Sequence, residues 1–164
     1  MNRALQRIVL VLVFAASSCT PPFPREVLDR VDSKVTFHEI RTAPDSFKGA
    51  WILLGGVIVS VRNGKEETQI EVLQKPTDGS GRPLDTDVTE GRFLLVTNQY
   101  LDAAVFQPGR LIGAIGEVSG HRSMAIDDIM YSYPVLNIKA LHLWQAQEGP
   151  RFFFGIGIGV SGRM

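Results

Sequence analysis

A single cysteine offers the most specific chemistry in this sequence. Cys19 is the only cysteine among the 164 residues, and it directly follows the small residues Ala16-Ser17-Ser18. Small side chains just before a cysteine are what lipoprotein signal peptidase reads, and the freed cysteine then carries acyl chains. Ala16 stands where leucine is usual, so an ordinary signal peptide with an incidental thiol is the alternative. Because the lone cysteine lies where the motif demands it, we predict Cys19 as the lipidation site.

The segment ahead of Cys19 has the composition of a secretion signal. Arg3 and Arg7 form a short positive head, and Ile8–Ala16 is an uninterrupted apolar run. At about 1.5 Å per helical residue, this run crosses only about half of a ~30 Å hydrocarbon core, so it is too short for a stable spanning helix. A positive head, a short apolar run and small residues are typical of a signal peptide. Residues 1–18 are therefore predicted to be the signal peptide.

Histidine is the other residue type that could support a metal site. The histidines are His38, His121 and His142. No two of them have the close spacing of a metal-binding motif, and no cysteine remains to complete one. His142 lies in a strand between two leucines, where a side chain on a barrel face is the expected role. We predict no metal ligand.

Two groups of acidic residues could in principle perform acid–base chemistry. Asp127 and Asp128 are adjacent, and Asp85 and Asp87 lie in another polar stretch. Paired carboxylates catalyse only in a sheltered pocket that shifts the pKa of one of them, and loop acids are usually solvated. No nucleophile-elbow sequence is present. We therefore predict no catalytic residue and no cofactor, and that the protein is not an enzyme.

The Gly/Phe-rich tail, residues 146–164, contains glycines that superficially suggest a dinucleotide loop. Gly155, Gly157 and Gly159 alternate with apolar residues after Phe152-Phe153-Phe154. A dinucleotide loop needs a helix directly after its glycines, and only a few residues follow here. The alternation instead predicts a terminal strand with one apolar face. The alternative is a sticky tail that docks on a partner or a bilayer.

The charge balance excludes one class of partner. The chain has 17 basic and 17 acidic residues, and 15 basic and 17 acidic residues remain once residues 1–18 are removed. A nucleic-acid-binding surface needs a clear basic excess, so nucleic acid is not a predicted partner. The same balance excludes a strongly polybasic membrane surface. The remaining length suits one domain with its own hydrophobic core.

Residues 19–33 are predicted to form the lipidated tether. Thr20–Pro24 contains three prolines, which favour an extended and semi-rigid spacer. Pro24–Val31 predicts a short helix, because its apolar residues fall near one helical face and proline suits a first turn.

The first predicted hairpin joins two strands at Asn63-Gly64. Ala50–Val61 is nearly all apolar or glycine, and Asn-Gly between β-type runs is the strongest short hairpin signal. A two-residue turn here requires positive φ angles. The predicted pairing sets Val59 opposite Thr68 and Val57 opposite Ile70. Glu67, Gln69 and Glu71 then share the other face.

The rest of the chain predicts a mainly β domain over residues 34–145. Further strands are predicted at Gly91–Thr97, Arg110–Ser119 and Val135–Trp144, with loops at 75–90, 98–109 and 120–128. Gly113 and Gly116 fall inside a strand, which usually marks a bend, a bulge or a close approach. No long helical pattern separates the strands, so a parallel α/β sheet is excluded. The predicted fold is a small antiparallel barrel of five to six strands, OB-like in type.

Short segments in a fixed order resemble the Slp family of outer-membrane lipoproteins. The segments are Leu54-Gly55-Gly56-Val57-Ile58 with Asn63, Ile70-Glu71-Val72-Leu73, Gly91-Arg92-Phe93-Leu94, Leu101-Asp102, Gly109-Arg110, Gly113-x-x-Gly116-Glu117, Tyr133-Pro134-Val135-Leu136 and Leu143-Trp144. They span about residues 34–145. Their order and spacing, rather than any single motif, carry the resemblance.

The resemblance implies a lipid-anchored outer-membrane lipoprotein with a non-catalytic structural or binding role. Cys19 is the only position to which the resemblance assigns a functional role. Thr20 agrees with this location, since enteric-type bacteria retain lipoproteins with an aspartate at this position in the inner membrane. The domain is expected to face the periplasm, and the expected partners are the membrane, the lipoprotein processing and sorting machinery, and an envelope protein or glycan. Two alternatives stay open: a barrel that recognises a glycan or other envelope ligand, and an envelope hydrolase.

Overall fold

The computed structural model describes residues 21–145, and its strands close into one barrel. The strands are β1 Trp51–Asn63, β2 Thr68–Lys75, β3 Arg92–Thr97, β4 Leu111–Ile126 and β5 Ile129–Trp144. Helix α1 Arg25–Leu28, helix α2 Phe37–Thr42 and a 3₁₀ turn Pro44–Phe47 precede them. None of the described helices is long and apolar enough to cross a bilayer. The predicted signal peptide, Cys19 and the tail 146–164 lie outside the described residues.

The order of the strands around the barrel is β1-β2-β3-β5-β4, with β4 returning to β1. Four of the five pairings are antiparallel, and β3 pairs with β5 in parallel, Leu94 opposite Val135. An odd number of strands cannot alternate in direction around a closed ring, so one neighbouring pair has to be parallel. The predicted mainly β, OB-like barrel is confirmed, with this single parallel closure in place of fully antiparallel pairing.

Helix α2 seals one end of the barrel core. Phe37 and Ile40 are buried, and the Phe37 ring lies 5.8 Å from the ring of Phe93 on β3. Thr36 and Glu39 form a capping box: the Thr36 hydroxyl accepts from the Glu39 N–H, and the Glu39 carboxylate accepts from the Thr36 N–H at 2.8 Å. The sequence signature of this box, Thr-x-x-Glu, is present, yet α2 is absent from the sequence prediction.

The β1–β2 hairpin forms, but the predicted two-residue turn is wrong. Asn63 pairs with Thr68, and residues 64–67 form the loop, closed by the Gly64 N–H donating to the Glu67 carbonyl at 2.9 Å. Asn63 ends β1 because its side chain accepts from the Thr68 hydroxyl at 2.6 Å and donates to the Leu101 carbonyl at 3.0 Å. Gly64 does not take a positive φ.

The predicted register of this hairpin is also wrong. Val57 pairs with Leu73 instead of Ile70, and a β-bulge interrupts the register between Ile58 and Ser60. Ile58 faces the interior and is buried. A strand that is apolar at nearly every position carries no alternation from which its inward face could be read.

The largest departure from the prediction is a long hairpin extension at residues 119–134, here called the β4–β5 arm. The sequence predicts a loop over 120–128 and a strand from Val135, but β4 and β5 stay paired out to Ile126 opposite Ile129. Asp127 turns the chain with φ of 50°. Arg122, Met124 and Ile126 are half-buried while the residues between them are exposed. This alternation is the period-two signal of a strand.

Candidate functional site

Phe23 fixes the N-terminal segment to the barrel only four residues after Cys19. Phe23 is 1% exposed. Its ring meets the ring of His142 edge-on at 6.3 Å, and a Cβ added at Gly113 would lie 3.3 Å from its Cζ. Beyond α1, Val31 forms a parallel bridge with Trp51. The segment from Phe23 to Val31 therefore lies on the barrel.

Phe23 covers part of the outward side of β1, β4 and β5, which we call the anchor face. Its members are Trp51 and Leu53 on β1, Gly113 on β4, and His142 and Trp144 on β5. Trp51 and Leu53 are two positions apart on one strand and so point to the same side. The His142 and Trp144 rings meet edge-on at 4.4 Å.

Gly113 permits the close approach that makes this packing possible. A Cβ at Gly113 would lie 2.6 Å from the Gly81 carbonyl oxygen, so the loop at Gly81 could not rest on a larger residue. Gly81 itself has a φ of 82° and lies against Leu53 and Phe23. Gly116 adjoins a register shift in β4. The predicted close approach or bulge at these two strand glycines is confirmed.

Cationic side chains lie over both tryptophans of the anchor face. The Arg30 guanidinium is 5.0 Å and the Lys139 ammonium 5.1 Å from the Trp51 ring centroid. Arg82 lies 5.6 Å from the Trp144 ring centroid. Cations at this distance from an aromatic face are held by the ring quadrupole.

The chain also leaves the barrel at the anchor face. Arg82 donates a hydrogen bond to the Gln145 carbonyl at 3.2 Å, directly after Trp144. The Trp144 Nε1 atom is buried without a hydrogen-bond partner among residues 21–145. Buried indole N–H groups usually find one. Both ends of the described segment therefore lie on one side of the barrel.

A second cluster lies on the outer side of β2 and β3 and is built on Glu71. The Glu71 carboxylate accepts from Arg92 at 2.7 Å, from the Tyr133 hydroxyl at 2.9 Å and from the Ser60 hydroxyl at 3.1 Å. Tyr133 is 1% exposed. The predicted shared face of Glu67, Gln69 and Glu71 is confirmed, since Gln69 donates to Glu67 at 2.8 Å beside this network.

The network shifts the ionisation of its members. Burial opposes the charged form of Glu71, but the hydrogen bonds from Arg92, Tyr133 and Ser60 outweigh it, so the pKa of Glu71 lies below its ordinary value. Burial and then the neighbouring Glu71 carboxylate raise the pKa of Tyr133 to about 12. Glu71 is therefore a fully engaged carboxylate, not a free base.

The β4–β5 arm covers this outer face. Leu94 and Val96 alternate with core residues of β3 and are buried under the arm, where Met124 and Tyr131 pack against them. Arg122 on the arm donates to Glu67 at 2.7 Å. In OB-folds the face of strands 2 and 3, with the neighbouring loops, is where oligonucleotides and oligosaccharides bind. Here that face is occupied by the protein's own hairpin.

The three histidines do not come together. His38 faces Glu90 at 3.4 Å, His121 faces Asp45 at 3.1 Å, and His142 belongs to the anchor face. Between Pro21 and Gln145, no three His, Cys, Asp or Glu side chains are close enough to hold a metal ion.

The two acidic pairs stay solvent-exposed. Asp127 and Asp128 form the tip of the arm, and Asp85 and Asp87 line an open groove that Lys75 also borders. The Lys75 ammonium is engaged by the Thr86 carbonyl in this groove. Neither pair is sheltered in the way that acid–base catalysis requires.

The aromatic side chains do not gather around an open groove in the part of the chain that is described. Tyr131 and Tyr133 pack on each other with centroids 4.7 Å apart. Trp51 and Trp144 lie under cations, and Tyr100, 74% exposed, is not paired with another ring between residues 21 and 145. Sequence reasoning missed Phe23 and Glu71 as organising residues, because their partners lie far away in the chain.

These features define a small closed OB-type β-barrel whose N-terminal segment is packed on its own outer face. A model of the outer membrane lipoprotein Slp family matches residues 16–154. The chain belongs to the outer membrane lipoprotein Slp family.

Relatives of the chain agree with this assignment. Outer membrane protein Slp of Escherichia coli (strain K12) is 23% identical over 150 residues, which are 90% of this chain and 79% of the relative. The uncharacterized lipoprotein YeaY of the same organism is 28% identical over 127 residues, which are 77% of this chain and 61% of the relative. The predicted family and outer-membrane location are confirmed.

Two solved structures share a limited similarity with the barrel. An OBody bound to hen egg-white lysozyme aligns with a TM-score of 0.39 at 9% identity, over 62% of this chain and 86% of that chain. A small single-stranded DNA-binding protein from Streptomyces coelicolor aligns with a TM-score of 0.37 at 12% identity, over 57% and 94%. Similarity at this level has no bearing on function.

Proposed function

We propose that this protein is a non-enzymatic module that a lipid on Cys19 holds close against the outer membrane, with its barrel facing the periplasm. In this role it acts by structural association or by binding another envelope component. The observation that carries the proposal is the burial of Phe23 four residues after the predicted lipidated cysteine.

The packing of Phe23 shortens the tether. A chain spans at most about 3.6 Å per residue, so four residues reach about 14 Å from the lipid to the barrel surface. A tether free through residue 33 would reach more than three times as far. The barrel is thus held at the membrane surface instead of ranging through the periplasm.

The lipid supplies the strength of the attachment. Burial of acyl chains contributes about 0.8 kcal/mol per CH₂, and two or more chains give stable anchoring where one gives reversible binding. The near-neutral charge of the domain adds little general attraction. The processing and sorting machinery therefore attaches the lipid and delivers it to the outer membrane, and the domain is carried with the lipid.

The engagement of the titratable groups supports a non-catalytic role. Glu71, the most buried carboxylate described, is held by three hydrogen-bond donors. His38 and His121 each face a single exposed acid. A hydrolase needs a base positioned in a sheltered site, and none of these groups has that setting.

The tethered module is favoured over a glycan-recognising barrel. Recognition of sugar rings needs exposed aromatic faces beside a polar groove. In the described part of the chain, the OB-type binding face is covered by the β4–β5 arm, and the aromatic side chains do not gather around an open groove. Nothing in residues 21–145 favours the glycan reader over structural association.

Fractionation of membranes on a density gradient tests the proposal. Wild type should run with outer-membrane porins, and Cys19→Ser should move to the soluble or inner-membrane fractions. Phe23→Ala is the matched control: it loosens the tether but keeps the lipid, and should stay with the outer membrane. Cys19→Ser remaining with the porins would overturn the proposed anchoring.

A further inference from the structure

We propose that the anchor face is the surface that this protein lays against the phospholipid bilayer. The inference rests on the proposed lipidation of Cys19 and adds an orientation to it. Its occupant is a phospholipid surface, and three features of the molecule support it: the tether, the side chains, and the point where the chain leaves the barrel.

The tether places the anchor face nearest to the membrane. Phe23 contacts the strands at Gly113, and the lipidated position lies at most about 14 Å from Phe23. Trp144 pairs with Leu111, two positions from Gly113 on β4, and Trp51 pairs with Glu117, four positions away on the other side. At about 3.3 Å per residue, the two tryptophans flank the tether contact by roughly 7 Å and 13 Å.

The side chains of this face suit the bilayer interface. Tryptophan is enriched where membranes meet water, and Trp51 and Trp144 are both partly exposed on this face. Arg30 and Arg82, which lie over the two tryptophans, form no salt bridge with a described carboxylate. Guanidinium groups bind phosphate oxygens in bidentate geometry. Lys139 is less available because Glu117 holds it at 2.7 Å.

The end of the described chain adds an independent argument. Gln145 is held by Arg82 at the anchor face, so residues 146–164 begin at this surface. That stretch contains Phe152-Phe153-Phe154 and the alternating Ile156 and Ile158. The apolar residues begin at Phe152, seven positions after Gln145, and at no more than about 3.6 Å per residue a bilayer on this side of the barrel lies within the reach of the chain.

The tip of the β4–β5 arm is a reference position far from the anchor face. Ile126 is thirteen positions along β4 from Gly113, and Ile129 at the tip is 71% exposed. At about 3.3 Å per residue the contour between them is about 40 Å. The arm covers the outer side of β2 and β3, which lies across the barrel from the anchor face around β4, so the arm tip points away from a membrane that meets the anchor face.

Tryptophan fluorescence reads out this geometry directly, because Trp51 and Trp144 are the only two tryptophans in the chain. The lipidated full chain is placed in phosphatidylethanolamine–phosphatidylglycerol vesicles, with and without lipids that carry a nitroxide on the head group. Flotation of the vesicles first measures anchoring. We expect the floated wild type to lose a large share of its fluorescence when the nitroxide lipid is present.

The matched control moves the reporter to the far end. A variant with Trp51→Phe, Trp144→Phe and Ile129→Trp should float equally well and be quenched several-fold less. The single variants Trp51→Phe and Trp144→Phe should each remain quenched. These two variants keep the test valid even where the combined variant fails to fold. Floated wild type quenched no more than the arm-tip variant would overturn the orientation and leave the anchoring intact. Failure to float would overturn the proposed anchoring, and the orientation with it.

Discussion

The Phe23 ring packs against Gly113, where a Cβ would lie 3.3 Å from Phe23 Cζ and 2.6 Å from the Gly81 carbonyl oxygen. We therefore expect Gly113→Ala to push the Gly81 loop and Phe23 off β4. Overpacking of this kind costs about 1–3 kcal/mol. Urea unfolding of the lipid-free chain that starts at Thr20 measures the change in the free energy of unfolding.

Gly79→Ala is the control for this substitution. Gly79 has no positive φ, and a Cβ added there would meet no atom of residues 21–145 within 4 Å. Its free energy of unfolding should match wild type within about 0.5 kcal/mol. Equal stability of Gly113→Ala and Gly79→Ala would contradict the packing described for Phe23.

The Glu71 network predicts a pH-dependent contribution to stability. Because the pKa of Glu71 is lowered in the folded state, its ionised form stabilises the fold above its ordinary pKa of 4.5, and this contribution is lost as pH falls through the folded value. Glu71→Gln should cost about 1–3 kcal/mol at neutral pH, since a charged acceptor of three hydrogen bonds is removed. Urea unfolding across acidic pH should show this difference shrinking.

The exposed loop residue Glu66 gives the comparison for this experiment. Glu66→Gln should match the wild-type free energy of unfolding at neutral pH within about 0.5 kcal/mol, since Glu66 lies in the exposed β1–β2 loop. A Glu71→Gln difference that stayed constant down to strongly acidic pH would show that the lost stability does not come from the charge of Glu71.

Tyr133 should ionise unusually late. Burial and the Glu71 carboxylate raise its pKa to about 12, against an ordinary value of 10. A raised pKa means that its neutral form stabilises the fold fully below pH 10, and this contribution is lost as pH rises through about 12. Tyrosinate absorbance after a stopped-flow jump to alkaline pH, recorded before unfolding, should show a component near pH 12.

Tyr133→Phe identifies that component among the three tyrosines. The late step should vanish in this variant, while Tyr100→Phe should leave it in place because Tyr100 is exposed. If the late ionisation step persisted in Tyr133→Phe, a different tyrosine would be its source. The Glu71 network would then lose this support.

The barrel could be predicted because its strands are separated by strong turn residues and lack helical spacing. The register of β1 could not be predicted, because Ala50–Val61 is apolar at almost every position. Either alternating set of its side chains would bury a similar apolar surface if it faced the core. The β4–β5 arm carries an alternating pattern at Arg122, Met124 and Ile126, but the polar residues between them favour the predicted loop over 120–128.

The candidate site was only half visible in the sequence. The lipidation of Cys19 is predicted from the small residues before it, and it stays a prediction because Cys19 lies outside the described residues. Phe23 is buried by Gly81 and Gly113, which lie more than fifty residues away, and no local pattern reveals that contact. The same holds for Glu71, whose donor Tyr133 is 62 positions further along the chain.

The central claim is that Cys19 carries the lipid that holds the barrel at the outer membrane. Metabolic labelling with an alkyne analogue of palmitate, followed by capture and gel detection of the protein, tests it most directly. Wild type should be labelled, and Cys19→Ser, expressed at the same level, should carry no label. Label that persists on Cys19→Ser, or a wild-type protein that stays unlabelled, would contradict the claim.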